Sequence, residues 1–409
     1  MRVLLSTRGS RGDVEPLAAL AQRLQALGAE TAVVASPDPE FTEVLGSVGV
    51  AHLKVGGSVR DLVTGRNPGQ MERLLADFEG HARELVEDYA GALLAAAEDG
   101  CDAIVGTGLF PSVVGARAAA ELLGVRFVCA VLQPTTLPSH SHPPTPMRGW
   151  AWPEEVTDNM ARWEWDVEKM NGLFGEAANG FRTSIGLPAV ANVRDHTYTA
   201  QPWLATDPVL SPWEPTGLDV VQTGAWMLEN RSPLAPELEA FLEAGEAPVY
   251  AGFGSMPMQA ARDAAQVAVA AARANGRRLV LAGGWAELGE GVGGDDVLVI
   301  GGVNQQALFP RVAAIVHHGG AGTTTTATRS GSPQVVVPQI VDQPYWAGRV
   351  ADLGAGVAHD GPVATRESLT AALRQALAPG TVRRAAEVGA MIRTDGAEVA
   401  ARRLVDEIS

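Results

Sequence analysis

The sequence predicts an α/β protein of two Rossmann-like domains, each a parallel sheet with helices on both faces, the two sheets facing across a cleft. Three observations predict it. Strand-length apolar runs alternate with stretches of helical spacing through residues 2–131, and again from about residue 247 onward. Residues 133–235 break that alternation and are rich in Pro, Ser, His and Trp. Each half opens with a strand that runs into a Gly/Ser loop, Gly9-Ser10-Arg11-Gly12-Asp13 in the first and Gly252-Phe253-Gly254-Ser255 in the second. In open sheets of this kind ligands bind beyond the carboxyl ends of the strands, so the cleft is the expected site.

In chain order, Arg2–Thr7 reads as the first strand and Val14–Leu27 as the first helix, with apolar residues at Leu17, Leu20, Ala21, Leu24 and Leu27. Glu30–Ala35 and Val50–Val55 are strands around a short helix. Pro68–Glu98 is a long helical stretch. Asp102–Thr107, Pro111–Leu123 and Val125–Val131 form one more β-α-β unit. Thr157–Gly186 is helical, and 187–235 is Pro-rich with few regular elements. The domains are read as 1–215, a linker 216–235, a second domain 236–390, and a C-terminal helix 391–409 packing back toward the first domain.

Composition narrows the function. The 409 residues carry a net charge of -16, with 46% hydrophobic and 19% charged residues and only two lysines, Lys54 and Lys169. That excludes a basic nucleic-acid surface. A bound anion must then be held by local N–H groups and a few Arg or His side chains. Cys101 and Cys129 lie beside apolar strands and read as buried thiols. The N-terminus enters a strand directly, and no run approaches a membrane span, so a soluble cytoplasmic protein is expected. No G-x-G-x-x-G joins strand to helix and no Gly-Lys pair exists, which argues against a dinucleotide oxidoreductase and a Walker loop.

The most informative stretch is His317-His318-Gly319-Gly320-Ala321-Gly322-Thr323, after the apolar run Ala313–Val316 and before a helix that Gly331 and Pro333 close. A helix N-terminus offers unpaired N–H groups and a positive dipole end, both suited to an anion, though an ordinary strand-to-helix turn looks the same locally. This stretch, Gly331-Ser332-Pro333-Gln334, Pro338 and Asp342-Gln343-Pro344-Tyr345-Trp346-Ala347 resemble the donor signature of family 1 glycosyltransferases of the GT-B fold. The loop Gly9–Pro16, Leu218–Ala225, Gly252–Ser255, Gly284-Trp285-Ala286 and Val303–Phe309 resemble the actinobacterial branch that glycosylates vancomycin-type aglycones.

The resemblance implies an inverting O-glycosyltransferase that uses a dTDP- or UDP-sugar and a small aglycone, without a metal or other cofactor, as a monomer or weak dimer. It implies Asp13 as the general base that takes the acceptor hydroxyl's proton, a contribution of about two to four powers of ten. Asp is also a preferred helix cap, and the residues alone leave both readings open. The diphosphate falls to Gly320, Ala321, Gly322, Thr323 and His318. Adjacent strand residues point to opposite faces, so His317 and His318 cannot chelate one ion together. Ser10 and Ser255 either donate to phosphate or cap helices. Trp285, with core packing as the alternative, and the main chain of Val303 are assigned to the nucleotide base. Asp342 and Gln343 are assigned to the donor sugar, with a helix cap as the competing role for Asp342. Gln133, Trp150 and Trp152 are the acceptor candidates. Seven of nine tryptophans lie in 150–226, and core packing is expected to account for at least half of those. His140-Ser141-His142 lacks further partners for zinc and reads as a polar loop. A polyketide or other aromatic acceptor is the alternative substrate, and a nucleotide-sugar epimerase or hydrolase the alternative reaction.

Overall fold

The computed structural model describes residues 1–64, 76–145, 150–252, 261–283 and 293–408. The chain divides into two compact units, one of residues 1–208, 212–228 and 393–409, the other of residues 209–211 and 229–392. Apart from the short excursion at 209–211, it passes between units at 228/229 and 392/393, where the sequence reading has a linker at 216–235 and a closing helix at 391–409.

The first unit holds β1 (Arg2–Arg8), β2 (Glu30–Ala35), β3 (Ala51–Lys54), β4 (Ala103–Gly108), β5 (Arg126–Val131), β6 (Trp203–Leu204) and β7 (Val221–Gln222). They pair in parallel in the order β3-β2-β1-β4-β5-β6-β7. The strands are apolar on both faces because helices cover both. Leu4, Ile104 and Cys129 enter one core with Tyr89 and Phe110. Their neighbours Val3, Leu5, Val105 and Val128 enter the other with Val14, Leu17 and Leu20 of the helix Arg11–Ala26. Ala397, Ala400 and Leu404 of the C-terminal helix Gly396–Ile408 join this second core.

The second unit holds β8 (Val249–Gly252), β9 (Leu279–Ala282), β10 (Val297–Ile300), β11 (Ala314–His317), β12 (Gln334–Val336) and β13 (Gly356–Ala358), in the parallel order β10-β9-β8-β11-β12-β13. Alternation again divides it: Val249, Ala251, Leu279 and Val316 face one core, Tyr250, Val280 and Ile315 the other.

The structure revises several expectations. The first helix starts at Arg11, not Val14. Residues 187–235 hold a helix, Val193–Tyr198, and the two-residue strands β6 and β7, too short for any periodicity to reveal. Cys101 is only half-buried. Cys129 is fully buried, and burial pushes its thiol up to about 12, so it stays an unreactive core residue. Among the described residues no helix is long and apolar enough to cross a membrane.

Candidate active site

Strand order fixes where to look. In the first sheet the order in which strands are added reverses between β1 and β4, and in the second between β8 and β11, while all of these strands stay parallel. Such switch points leave a crevice at the carboxyl ends of the two strands. The loop Gly9–Asp13 leaves β1 at the first switch point, and the turn His318–Thr323 leaves β11 at the second. Ser255 follows β8 at the same point but, like Trp285, lies outside the described residues.

In the first unit Ser10 is the N-cap of the helix Arg11–Ala26 and Asp13 occupies its third position. The pair forms a capping box. Asp13 Oδ2 accepts from the Ser10 N–H at 2.7 Å and from the Ser10 hydroxyl at 3.3 Å, while Ser10 Oγ accepts from the Gly12 N–H at 3.2 Å. Ser10 therefore performs the capping role, one of the two roles its position allows. Asp13 is not the cap itself. It is a half-buried carboxylate held in one orientation by the cap, at the carboxyl edge of β1.

In the second unit the two histidines part company. His317, the last residue of β11, is fully buried. Its Nε2 meets Gln334 Oε1 at 2.9 Å and its Nδ1 accepts from the Gly319 N–H at 3.1 Å. Gln334 Nε2 in turn donates to the Thr328 hydroxyl. Both ring nitrogens are therefore committed, and His317 is a strut beneath the turn. Burial, with a smaller contribution from neighbouring His318, lowers its pKa to about 3.

His318 lies just past the strand and is 8% exposed. Its Nδ1 is buried with no hydrogen-bond partner. Its Nε2 stands 2.6 Å from where a Cβ on Gly320 would be, so the ring lies against the first turn of the helix Ala321–Ser330. Burial lowers its pKa to about 4, which makes it a neutral donor at neutral pH. A bare lone pair is the cheaper buried orphan, which assigns the proton to Nε2, toward the turn.

The helix Ala321–Ser330 has no side-chain cap. Its N-cap is Gly320, so the amides of Ala321, Gly322 and Thr323 open its positive end. Gly319 makes the turn possible: its φ is +91°, and a Cβ there would stand 2.8 Å from Val336 Cγ1 and 3.2 Å from the Gln343 carbonyl oxygen.

That contact brings Asp342 and Gln343 to the same edge. Asp342 begins the helix Gln343–Asp352 without a side-chain cap bond. Its Oδ2 instead accepts the Trp346 indole N–H at 2.7 Å, and burial raises its pKa. Gln343 is buried, and its Oε1 accepts from the N–H groups of Gln339 and Ile340. Its Nε2 carries no bond among the described residues. Val303 packs onto the core of Tyr250, Leu308 and Ile315. The turn it belongs to is pinned by a residue sequence reasoning missed: Asn304 Nδ2 donates to the Asn230 and Ser232 carbonyls at 2.9 and 2.7 Å. Gln334 has no role legible in the sequence motif, because its partner His317 lies on the neighbouring strand.

The acceptor candidates are less free than expected. Gln133 Oε1 accepts from the Thr135 hydroxyl. Trp150 packs edge-on to Trp165 at 6.0 Å and lies over Gly172, and Trp152 lies 5.0 Å from the Arg162 guanidinium. Both indoles thus rest, half-buried, on the helix Asn159–Ser184. Of the seven tryptophans in 150–226, Trp163, Trp203 and Trp226 are core residues and the other four are half-buried. His142 is edge-on to Trp163, and among the described residues no cluster of three His, Cys, Asp or Glu could hold a metal.

Comparison with known proteins gives the family. Residues 3–132 match the glycosyltransferase family 28 N-terminal domain, and residues 289–402 the erythromycin biosynthesis protein CIII-like C-terminal domain. The chain is 49% identical to the vancomycin aglycone glucosyltransferase of Amycolatopsis orientalis, over 100% of this chain and 98% of that one. It belongs to this glycosyltransferase family. The transferase is also 48% identical to the dTDP-epi-vancosaminyltransferase of the same organism, with 100% and 98% covered. Among solved structures, the glycosyltransferase of kitacinnamycin aligns with a TM-score of 0.72 at 21% identity, covering 100% and 98%. The glycosyltransferase VinC in complex with dTDP aligns at 0.68 and 20%, covering 100% and 99%. These last two establish the GT-B fold of the transferase.

The paired histidines predict a pH dependence. Both are less readily protonated in the folded chain than in the unfolded one, so between pH 6.5 and about 3 to 4 the unfolded chain binds more protons. The stability they contribute is fully present above pH 6.5 and is lost as pH falls through that window. His317→Gln should flatten the slope of melting temperature against pH there. An unchanged slope would assign it to other groups.

Proposed function

We propose that the transferase moves a sugar from a dTDP or UDP donor to a hydroxyl of a glycopeptide-type aglycone, inverting the anomeric centre in one in-line displacement and needing no metal. The observation that carries this reading is the uncapped first turn at Ala321–Thr323 with the neutral His318 ring against it. It is an anion site made of N–H groups. The relatives near half identity, named for vancomycin aglycone and for a dTDP-sugar, support the substrate classes.

In this reading Asp13 accepts the acceptor hydroxyl's proton as the oxygen bonds to the anomeric carbon. The bond from that carbon to the diphosphate oxygen breaks, and the departing charge is taken up by the Ala321, Gly322 and Thr323 amides and His318 Nε2. Asp342 and Gln343 orient the sugar. Trp285 and Val303 hold the base, and Gln133, Trp150 and Trp152 line the acceptor side. We place the enzyme in the cytoplasm as a monomer or weak dimer.

The test is nucleoside diphosphate release across a panel of dTDP- and UDP-sugars with and without glycopeptide aglycones. Release should require the aglycone, with a glycoside of opposite anomeric configuration as product. Release without acceptor would favour a nucleotide-sugar hydrolase. EDTA should leave the rate unchanged. Loss of activity, with recovery on adding a divalent ion, would show that the amide turn is not sufficient.

A further inference from the structure

We propose that Ile340 and Val341 form an apolar wall for the donor sugar, and that this pair sets the preference between 6-deoxyhexosyl donors and hexosyl donors with a 6-hydroxyl. The inference rests on the donor-site reading above and extends it to the choice of sugar.

Val341 has a φ of +56°, a conformation that Gly, Asn and Asp enter readily and a β-branched residue rarely does. The backbone is held there from several directions. Gln343 Oε1 accepts from the N–H groups of both Gln339 and Ile340, at 2.7 and 3.1 Å. Gln339 Nε2 donates to the carbonyls of Val337 and Pro362, and the Gln343 N–H returns to the Ile340 carbonyl. Strain persists where the surroundings over-determine it, and such places cluster at ligand clamps.

What this turn achieves is exposure. Ile340 is 48% and Val341 55% exposed, an adjacent pair of branched apolar side chains left out of the core. The pair also sits beside the anion turn. Asp342 follows directly, and the Gln343 carbonyl and Cβ lie 3.2 and 3.3 Å from the position of a Cβ on Gly319.

Diphosphate has no apolar surface to offer such a wall. The hexose does, along its C–H edge and at C6. A methyl at C6 packs against Ile and Val. A hydroxyl there loses water without gaining a partner. Apolar walls reject an added hydroxyl only modestly, so a preference of about tenfold is expected.

The experiment compares kcat/KM for dTDP-6-deoxyglucose and dTDP-glucose with one acceptor, alongside equilibrium binding of dTDP and UDP alone. Val341→Asn suits the positive φ and supplies a polar amide; Val341→Gly suits it and removes the wall. The wild type should favour the deoxy sugar. Val341→Gly should bring the ratio near unity, a shift of about tenfold, and Val341→Asn should move it at least as far toward the 6-hydroxyl sugar. Affinity for the bare nucleotides should not change in either variant. A ratio that is the same in all three proteins, or no preference in the wild type, overturns the proposal. Failure of the wild type to bind either nucleotide would instead refute the donor-site reading beneath it.

Discussion

Replacing Asp13 by asparagine is expected to lower kcat by about two to four powers of ten while nucleotide affinity is retained. The reason lies in the double use of this carboxylate. The Ser10–Asp13 capping box fixes the side chain, so the bond that closes the helix also orients the base. Asparagine keeps an acceptor oxygen for the Ser10 N–H and loses the basicity. Its cost to folding is therefore small, about 0.3–1 kcal/mol from the lost charge at a helix N-terminus. The control is Ser10→Ala. It removes the cap, at a cost of about 1 kcal/mol, and leaves the carboxylate. If Asp13 served only in the capping box, Ser10→Ala would lower melting temperature at least as much as Asp13→Asn, and neither would change turnover strongly. The reading as base expects the two effects to separate: stability falls with Ser10, turnover with Asp13. Steady-state kinetics and thermal melts of the two variants decide it, and an Asp13→Asn enzyme with near-wild-type kcat would remove Asp13 from the chemistry.

How far the sequence shows the site depends on what each residue does. Parallel strands such as Val3–Leu5 and Val249–Ala251 are visible because burial on both faces makes continuous apolar runs. The anion turn is visible because glycine is required where φ is positive and a neighbour is close, as at Gly319. The division of labour between His317 and His318 is only half visible. Alternation says they face opposite ways, but not which way is inward. That is settled by Gln334, which lies on the neighbouring strand and seventeen residues away. The capping box is written as Ser10 and Asp13 at the right spacing, yet a cap placed one turn late at Asp13 fits the same local pattern. Strain at Val341 is not legible at all, because a valine in a left-handed turn contradicts its own propensity and is imposed by Gln339 and Gln343. The buried ion pair of Asp166 with Arg194 is equally hidden, since it joins residues from separate helices, whereas the Asp166–Lys169 pair lies within one helix at a spacing of three.

Replacing His318 by phenylalanine is expected to lower donor kcat/KM by about 10²- to 10³-fold, the usual effect of removing one pre-positioned donor from a developing charge. The same substitution should leave the free protein as stable or more stable. His318 Nδ1 is buried without a partner, and an unsatisfied polar atom of that kind costs about 1–3 kcal/mol. Phenylalanine keeps an aromatic ring there, somewhat larger than imidazole, and removes that penalty. A stability gain with a loss of activity is the signature of a group kept for its ligand rather than for the fold. His317→Gln should behave in the opposite way, because His317 has both nitrogens bonded within the protein. It should destabilise the second unit and impair turnover mainly by loosening the turn. Donor titrations and melts of the two variants test this contrast. A His318→Phe protein that is strongly destabilised yet turns over normally would make His318 the strut, and would leave the Ala321–Thr323 amides as the whole anion site.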